Sequence, residues 1–113
     1  MEYLFANRVG LEVCPTSNVQ LGVFASLAEH PLSQLVAAGA TVSVNTDTPA
    51  IFGITLTDEL TLLESEFGLA PPAIDTVLLN GFENSFLSPP EKEALLRSVR
   101  AELESLRGTA LEV

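Results

Sequence analysis

Residues 11–19 read LEVCPTSNV and residues 41–52 read TVSVNTDTPAIF. Each opens on a short apolar run and then turns abruptly polar, the pattern of a strand that ends in a loop. Leu11 to Pro15 reads as a buried strand interrupted by one glutamate, Glu12. Thr41 to Val44 reads as a second strand, β-branched at three of its four positions. Between them PLSQLVAA (31–38) reads as a helix, with Pro31 in its first turn and Gly39 past its end. Strand, helix and strand within about 35 residues make a βαβ unit, whose crossover length suits parallel pairing.

Working outward, EYLFANR (2–8) reads as the end of a helix stopped by Gly10. Thr16-Ser17-Asn18 reads as a polar turn and 45–54 as a loop. A helix is expected from about Thr57 to Phe67, ended by Gly68, with Asp58, Glu59, Glu64 and Glu66 on a solvated face. Pro71-Pro72 opens another over Ala73–Asn84. Ser88-Pro89-Pro90-Glu91 has the form of a capping box with proline at the first helical position. Leu95, Leu96, Val99, Leu103 and Leu106 then recur at helical spacing until Gly108 ends the run. No repeat, linker or low-complexity segment divides the chain, so residues 1–113 read as one domain. It is a partial one: two parallel strands cannot close a sheet, and such a pair with both edges open is a poor independent fold.

The 113 residues are 47% hydrophobic and 18% charged, which excludes a disordered acidic tail. Fifteen acidic against five basic residues give a net charge of −10, a surface that repels phosphate backbones and argues against nucleic-acid binding. Between Arg8 and Lys92 there is no Lys or Arg but ten Asp and Glu. Only afterwards do Lys92, Arg97, Arg100 and Arg107 offset Glu93, Glu102, Glu104 and Glu112. One cysteine, Cys14, excludes an internal disulfide and suits a reducing compartment. No apolar run approaches the roughly 18 residues that span a bilayer, and Met1-Glu2-Tyr3 lacks the basic region of a secretory signal. A cytoplasmic protein with no membrane partner is the expectation.

The two strand ends are where α/β folds gather their catalytic groups. LEVCPTSNV, then HPL at a helix start, then VNTD-x-P-x-IF, resembles the C-terminal part of the adenosine deaminase family, zinc-dependent TIM barrels of the amidohydrolase type. The resemblance runs from about Leu11 to near Leu106. It implies an α/β fold class: a C-terminal fragment of a (β/α)8 barrel whose two strands are the seventh and eighth, with terminal helices outside. In that family Zn2+ is held by an HxH pair, a later histidine and the first aspartate of an NTDDP motif. The second aspartate of that motif holds the base, a glutamate protonates the purine ring, and another histidine orients the attacking water. Carried over, Asp47 matches the zinc-binding, catalytic aspartate and Thr48 occupies the base-binding position. Glu12 and Ser17 match positions that support the catalytic histidine. Zinc lowers the pKa of bound water to near 7 and so prepares attack on C6 of a purine nucleoside.

The chain departs from the family pattern in one decisive respect. Its single histidine, His30, precedes a helix away from both strand ends, whereas a catalytic zinc needs about three protein ligands. The reading is therefore of the C-terminal part of an adenosine deaminase-like hydrolase, inactive by itself and not expected to retain zinc. Its partner is the missing N-terminal barrel portion or a second copy. The alternative is a non-catalytic remnant that self-associates or binds a partner through its exposed apolar faces. Individual residues carry plainer readings too: Asp47 and Thr48 as turn residues, Glu12 on an exposed edge strand, Cys14 as a small buried hydrophobe, His30 as a residue that opens a helix.

Overall fold

A computed structural model of the protein describes residues 1–111; Glu112 lies outside the described residues. In chain order the elements are α1 (Glu2–Ala6), β1 (Leu11–Val13), α2 (Pro15–Gln20), a 3-10 turn (Leu27–Glu29), α3 (Leu32–Ala37), β2 (Val42–Val44), α4 (Pro49–Phe52), α5 (Leu56–Ser65), α6 (Pro71–Glu83) and α7 (Pro89–Leu111). The expected βαβ unit is present. β1 and β2 pair in parallel, with Leu11 opposite Val42, Glu12 opposite Ser43 and Val13 opposite Val44.

The helix between the strands ends where expected, for a local reason. Gly39 adopts φ +85°, its N–H bonds Val36 O at 3.0 Å, and Ala40 N–H bonds Leu35 O at 3.0 Å. That is a Schellman closure, which needs a left-handed residue at its pivot. The core lies between the strands and the helices: Val13, Leu32, Ala40, Val42, Val44, Leu63 and Val77 are buried together. Ser33 Oγ donates to Phe67 O at 3.0 Å and ties α3 to the end of α5.

The outer edge of β2 is partly covered. Thr41 O accepts from Leu11 N and Asn45 N donates to Val13 O, both at 2.8 Å, so the Val42 peptide groups point to the opposite side. There Asn80 of α6 donates from Nδ2 to Val42 O at 2.8 Å, and Val42 N–H turns back onto Ala40 O at 3.0 Å. A helix side chain thus stands in for a missing strand at this position.

Three sequence expectations need correction. Thr16-Ser17-Asn18 is not a turn but the first half of α2, because Pro15 at its first position presets a helical φ. The 45–54 loop contains α4, opened in the same way by Pro49. Gly108 does not end the last helix: α7 continues to Leu111, since an interior glycine costs only about 1 kcal/mol relative to alanine. The α7 stripe buries Leu96 and half-buries Leu95, Val99 and Leu103, while Leu106 stays 62% exposed. At the α7 start, Glu91 accepts from Ser88 N at 3.2 Å and from Ser88 Oγ at 2.6 Å, the backward half of the expected box. A complete capping box occurs at α5, where Asp58 N donates to Thr55 Oγ1 at 3.2 Å and Thr55 N donates to Asp58 Oδ2 at 2.7 Å.

Candidate functional site

The C-terminal ends of the two strands are built alike. Each strand stops after three residues and runs into a short helix with proline at its start. The residues before those prolines, Cys14 (φ −123°, ψ 80°) and Thr48 (φ −117°, ψ 79°), share one conformation. A residue before proline is pushed out of the helical region, so α2 turns off directly after β1 and α4 opens after a short segment beyond β2. The first residues of α2 are thereby brought against the segment after β2.

Two of the four residues singled out from sequence meet there. Ser17, 2% exposed, donates from Oγ to Asp47 Oδ2 at 2.8 Å. Asp47 is exposed at the lip and adopts φ +63°, a left-handed conformation that costs most side chains about 1–2 kcal/mol. Backbone strain of this kind concentrates at functional positions. Thr48 is adjacent and exposed; it is the cap residue of α4 by position, but its hydroxyl makes no capping bond. Glu12 does not join this group. It shares a face of the sheet with Ser43 and lines a hollow of about 530 Å3 with Arg8, Gly10, Glu83, Asn84 and Phe86. Glu12 is exposed, as the plainer edge-strand reading has it: Val13 lies on the inner face of β1 and Glu12 on the face open to solvent.

Sequence reasoning missed Glu59. Expected on a solvated face, it is fully buried, and its carboxylate accepts from Thr16 N at 3.2 Å and from Thr16 Oγ1. Its position, four residues before the fully buried Leu63, places it on the apolar stripe of α5, and that periodicity was the available signal. Asp58 beside it is exposed as expected, and the Thr55 backbone and hydroxyl hold its carboxyl below the usual range.

The Cys14 thiol reports the electrostatics of the strand ends. Burial pushes its pKa up, and Asp47, Glu59 and Glu12 add to the rise in that order. A protonated thiol amid three carboxylates is a poor nucleophile.

His30 is structural. Its Nδ1 accepts from Leu32 N–H at 3.2 Å, which leaves the proton on Nε2, 2.9 Å from Asn18 Oδ1. Phe24 and Phe67 pack on the ring at centroid distances of 4.8 and 5.6 Å, and burial lowers its pKa. With both nitrogens committed, His30 offers no lone pair to a metal. Among the described residues no group of three or more His, Cys, Asp or Glu could hold a metal ion. Asp47, with one oxygen steadied by Ser17, could supply one ligand. Among the described residues no helix is long and apolar enough to cross a membrane.

Solved structures with this fold define the class. An adenine deaminase from Arthrobacter aurescens superposes with a TM-score of 0.83 at 37% identity, covering 91% of this chain and 32% of that one. An amidohydrolase from Burkholderia ambifaria, solved with bound zinc, superposes with a TM-score of 0.87 at 22% identity, covering 99% of this chain and 32% of that one. The architecture is that of a fragment of a (β/α)8 barrel. The family model described as adenosine deaminase matches residues 1–102, and the chain belongs to that family. Curated relatives include adenosine deaminases from Klebsiella pneumoniae, 42% identical over 88% of this chain, and Serratia proteamaculans, 41% identical over 88%. The chain spans about 30% of the length of either.

Proposed function

We propose that this chain is the C-terminal part of a zinc-dependent, adenosine deaminase-like hydrolase of the cytoplasm. The reaction is hydrolytic deamination of a 6-aminopurine nucleoside, in which water replaces the amino group and ammonia leaves. The observation that carries this reading is the Ser17–Asp47 contact at the ends of two neighbouring parallel strands. In this reading Asp47 supplies one zinc ligand and accepts the proton of the attacking water. Ser17 holds the other carboxylate oxygen, so a single lone-pair direction is presented. Thr48, exposed beside it, contacts the edge of the base. Lacking the charge of the family's aspartate, Thr48 holds a purine through its ring nitrogen less firmly, or prefers another amine. Glu12, exposed on β1, supports a histidine supplied from outside this chain. Zinc, when bound, supplies water activation near neutral pH. The remaining ligands and the general acid come from the barrel portion that the chain lacks, so it is inactive alone.

The test is zinc content and deamination in a protein carrying the whole barrel, with and without Asp47→Ala. Loss of both by Asp47→Ala supports the reading; full zinc retention overturns it. The 113-residue chain alone is expected to hold no stoichiometric zinc. The second reading, a self-associating remnant, is favoured by apolar side chains left in water: Phe86 is fully exposed, and Tyr3 and Val9 are 74% and 40% exposed. A polypeptide mass of 12.0 kDa in the native source, together with self-association and no deamination in any complex, would support it.

A further inference from the structure

We propose that Glu59 is a positioning residue for the metal-ligand aspartate, acting through Thr16 and Ser17. This inference rests on the reading of Asp47 as a zinc ligand. The first turn of α2 has no cap of its own: Cys14 occupies the cap position and its side chain makes no capping bond. That task passes to a carboxylate 43 residues further along the chain, which takes both the backbone N–H and the hydroxyl of Thr16. Glu59 is fully buried and Thr16 half-buried, so α5 is anchored to the start of α2 largely out of water. Such bonds hold more strongly in a dry setting.

The next residue after Thr16 is Ser17. Its hydroxyl direction is set by the first turn of α2, and it alone ties α2 to Asp47 by a side-chain bond among those observed at the site. Asp47 itself is exposed and left-handed, and the Ser17 hydroxyl is the side-chain bond observed on its carboxylate. The chain of positions is therefore α5 core, Glu59, Thr16, Ser17, Asp47. Burying an acidic group in a domain this small is costly, and the described residues place no cation against it. A hydrocarbon side chain at this point of the α5 stripe would pack as well but would leave the α2 amide uncapped.

The experiment is a double-mutant cycle on zinc affinity, by chelator competition, in the protein carrying the whole barrel. Glu59→Ala and Ser17→Ala are each expected to weaken zinc about tenfold, the lower end of what supporting residues contribute. The double variant should lose little more than either single one, because both act through one path. Losses that multiply, or unchanged affinity in Glu59→Ala, overturn the proposal. Glu59→Gln keeps an acceptor and should fall between wild type and alanine; it carries the cycle if the alanine variant fails to fold. Amide exchange separates this proposal from the functional reading. If Asp47→Ala leaves zinc bound, the functional reading fails. Protection of the Thr16 amide must still fall in the Glu59 variants, and unchanged protection there overturns the positioning role.

Discussion

Ser17 Oγ and Asp47 Oδ2 lie 2.8 Å apart across the loops that follow two adjacent parallel strands, one residue buried and the other at the lip. Ser17 is 2% exposed, while Asp47 combines exposure, a left-handed backbone and this bond. Backbone strain at Asp47 and its hydrogen bond to Ser17 are therefore separable.

Asp47→Ala removes the bond and keeps the left-handed φ, whereas Asp47→Gly removes both the bond and the steric penalty. The glycine variant should be more stable than the alanine variant by about 1 kcal/mol. Parallel urea unfolding of the two checks this. Equal midpoints would show that the left-handed conformation carries no cost.

Gly10 approaches α6 so closely that an added Cβ would come within 2.4 Å of the Asn84 side chain. Gly10→Ala should destabilise the protein by about 1–3 kcal/mol through overpacking. Asn84→Ala in the same chain should recover most of that loss, helped by removing a buried Nδ2 that lacks a partner. Denaturation of the single and double variants reads the coupling, and additive losses would contradict the contact.

His30 makes stability fall with acid. Burial holds its folded-state pKa below the unfolded value of about 6.5, so the unfolded chain binds the extra proton first. The stability present above that pH is lost as pH falls from about 6.5 towards the folded value. The difference in melting temperature between wild type and His30→Gln should narrow on going from about pH 7.5 to 5.5. Asp58 and Glu91, whose carboxyls are held low by Thr55 and Ser88, lose their contributions only at more acid pH, below the unfolded carboxylate values near 4. A gap independent of pH would show that the ring titrates alike in both states.

Asn80→Ala strips the donor from Val42 O at the open edge of β2. A buried acceptor left without a partner costs about 1–3 kcal/mol, and an uncovered edge invites strand addition. The variant should therefore associate more readily than wild type in sedimentation velocity at matched concentration. Unchanged association would mean that the edge is blocked by something other than this amide.

Features that depend on neighbours within a turn or two are legible in the amino-acid order. Apolar, β-branched runs marked β1 and β2, Gly39 marked the close of α3, and the two polar strand ends marked where to look for chemistry. The same local rules erred at Thr16–Asn18 and in the 45–54 segment, where one proline outweighed turn-prone composition, and at Gly108, where a single glycine did not stop a long helix. The remaining contacts come from packing between distant segments. It buried Glu59 against Thr16, joined Ser17 to Asp47 over 30 positions, committed both nitrogens of His30, and left Glu12 on an open face of the sheet. The physical reason is the range of the forces involved. Propensity, capping and periodicity act between residues a few positions apart. A hydrogen bond in a dry site depends on which distant segment packs there, and no local pattern records that.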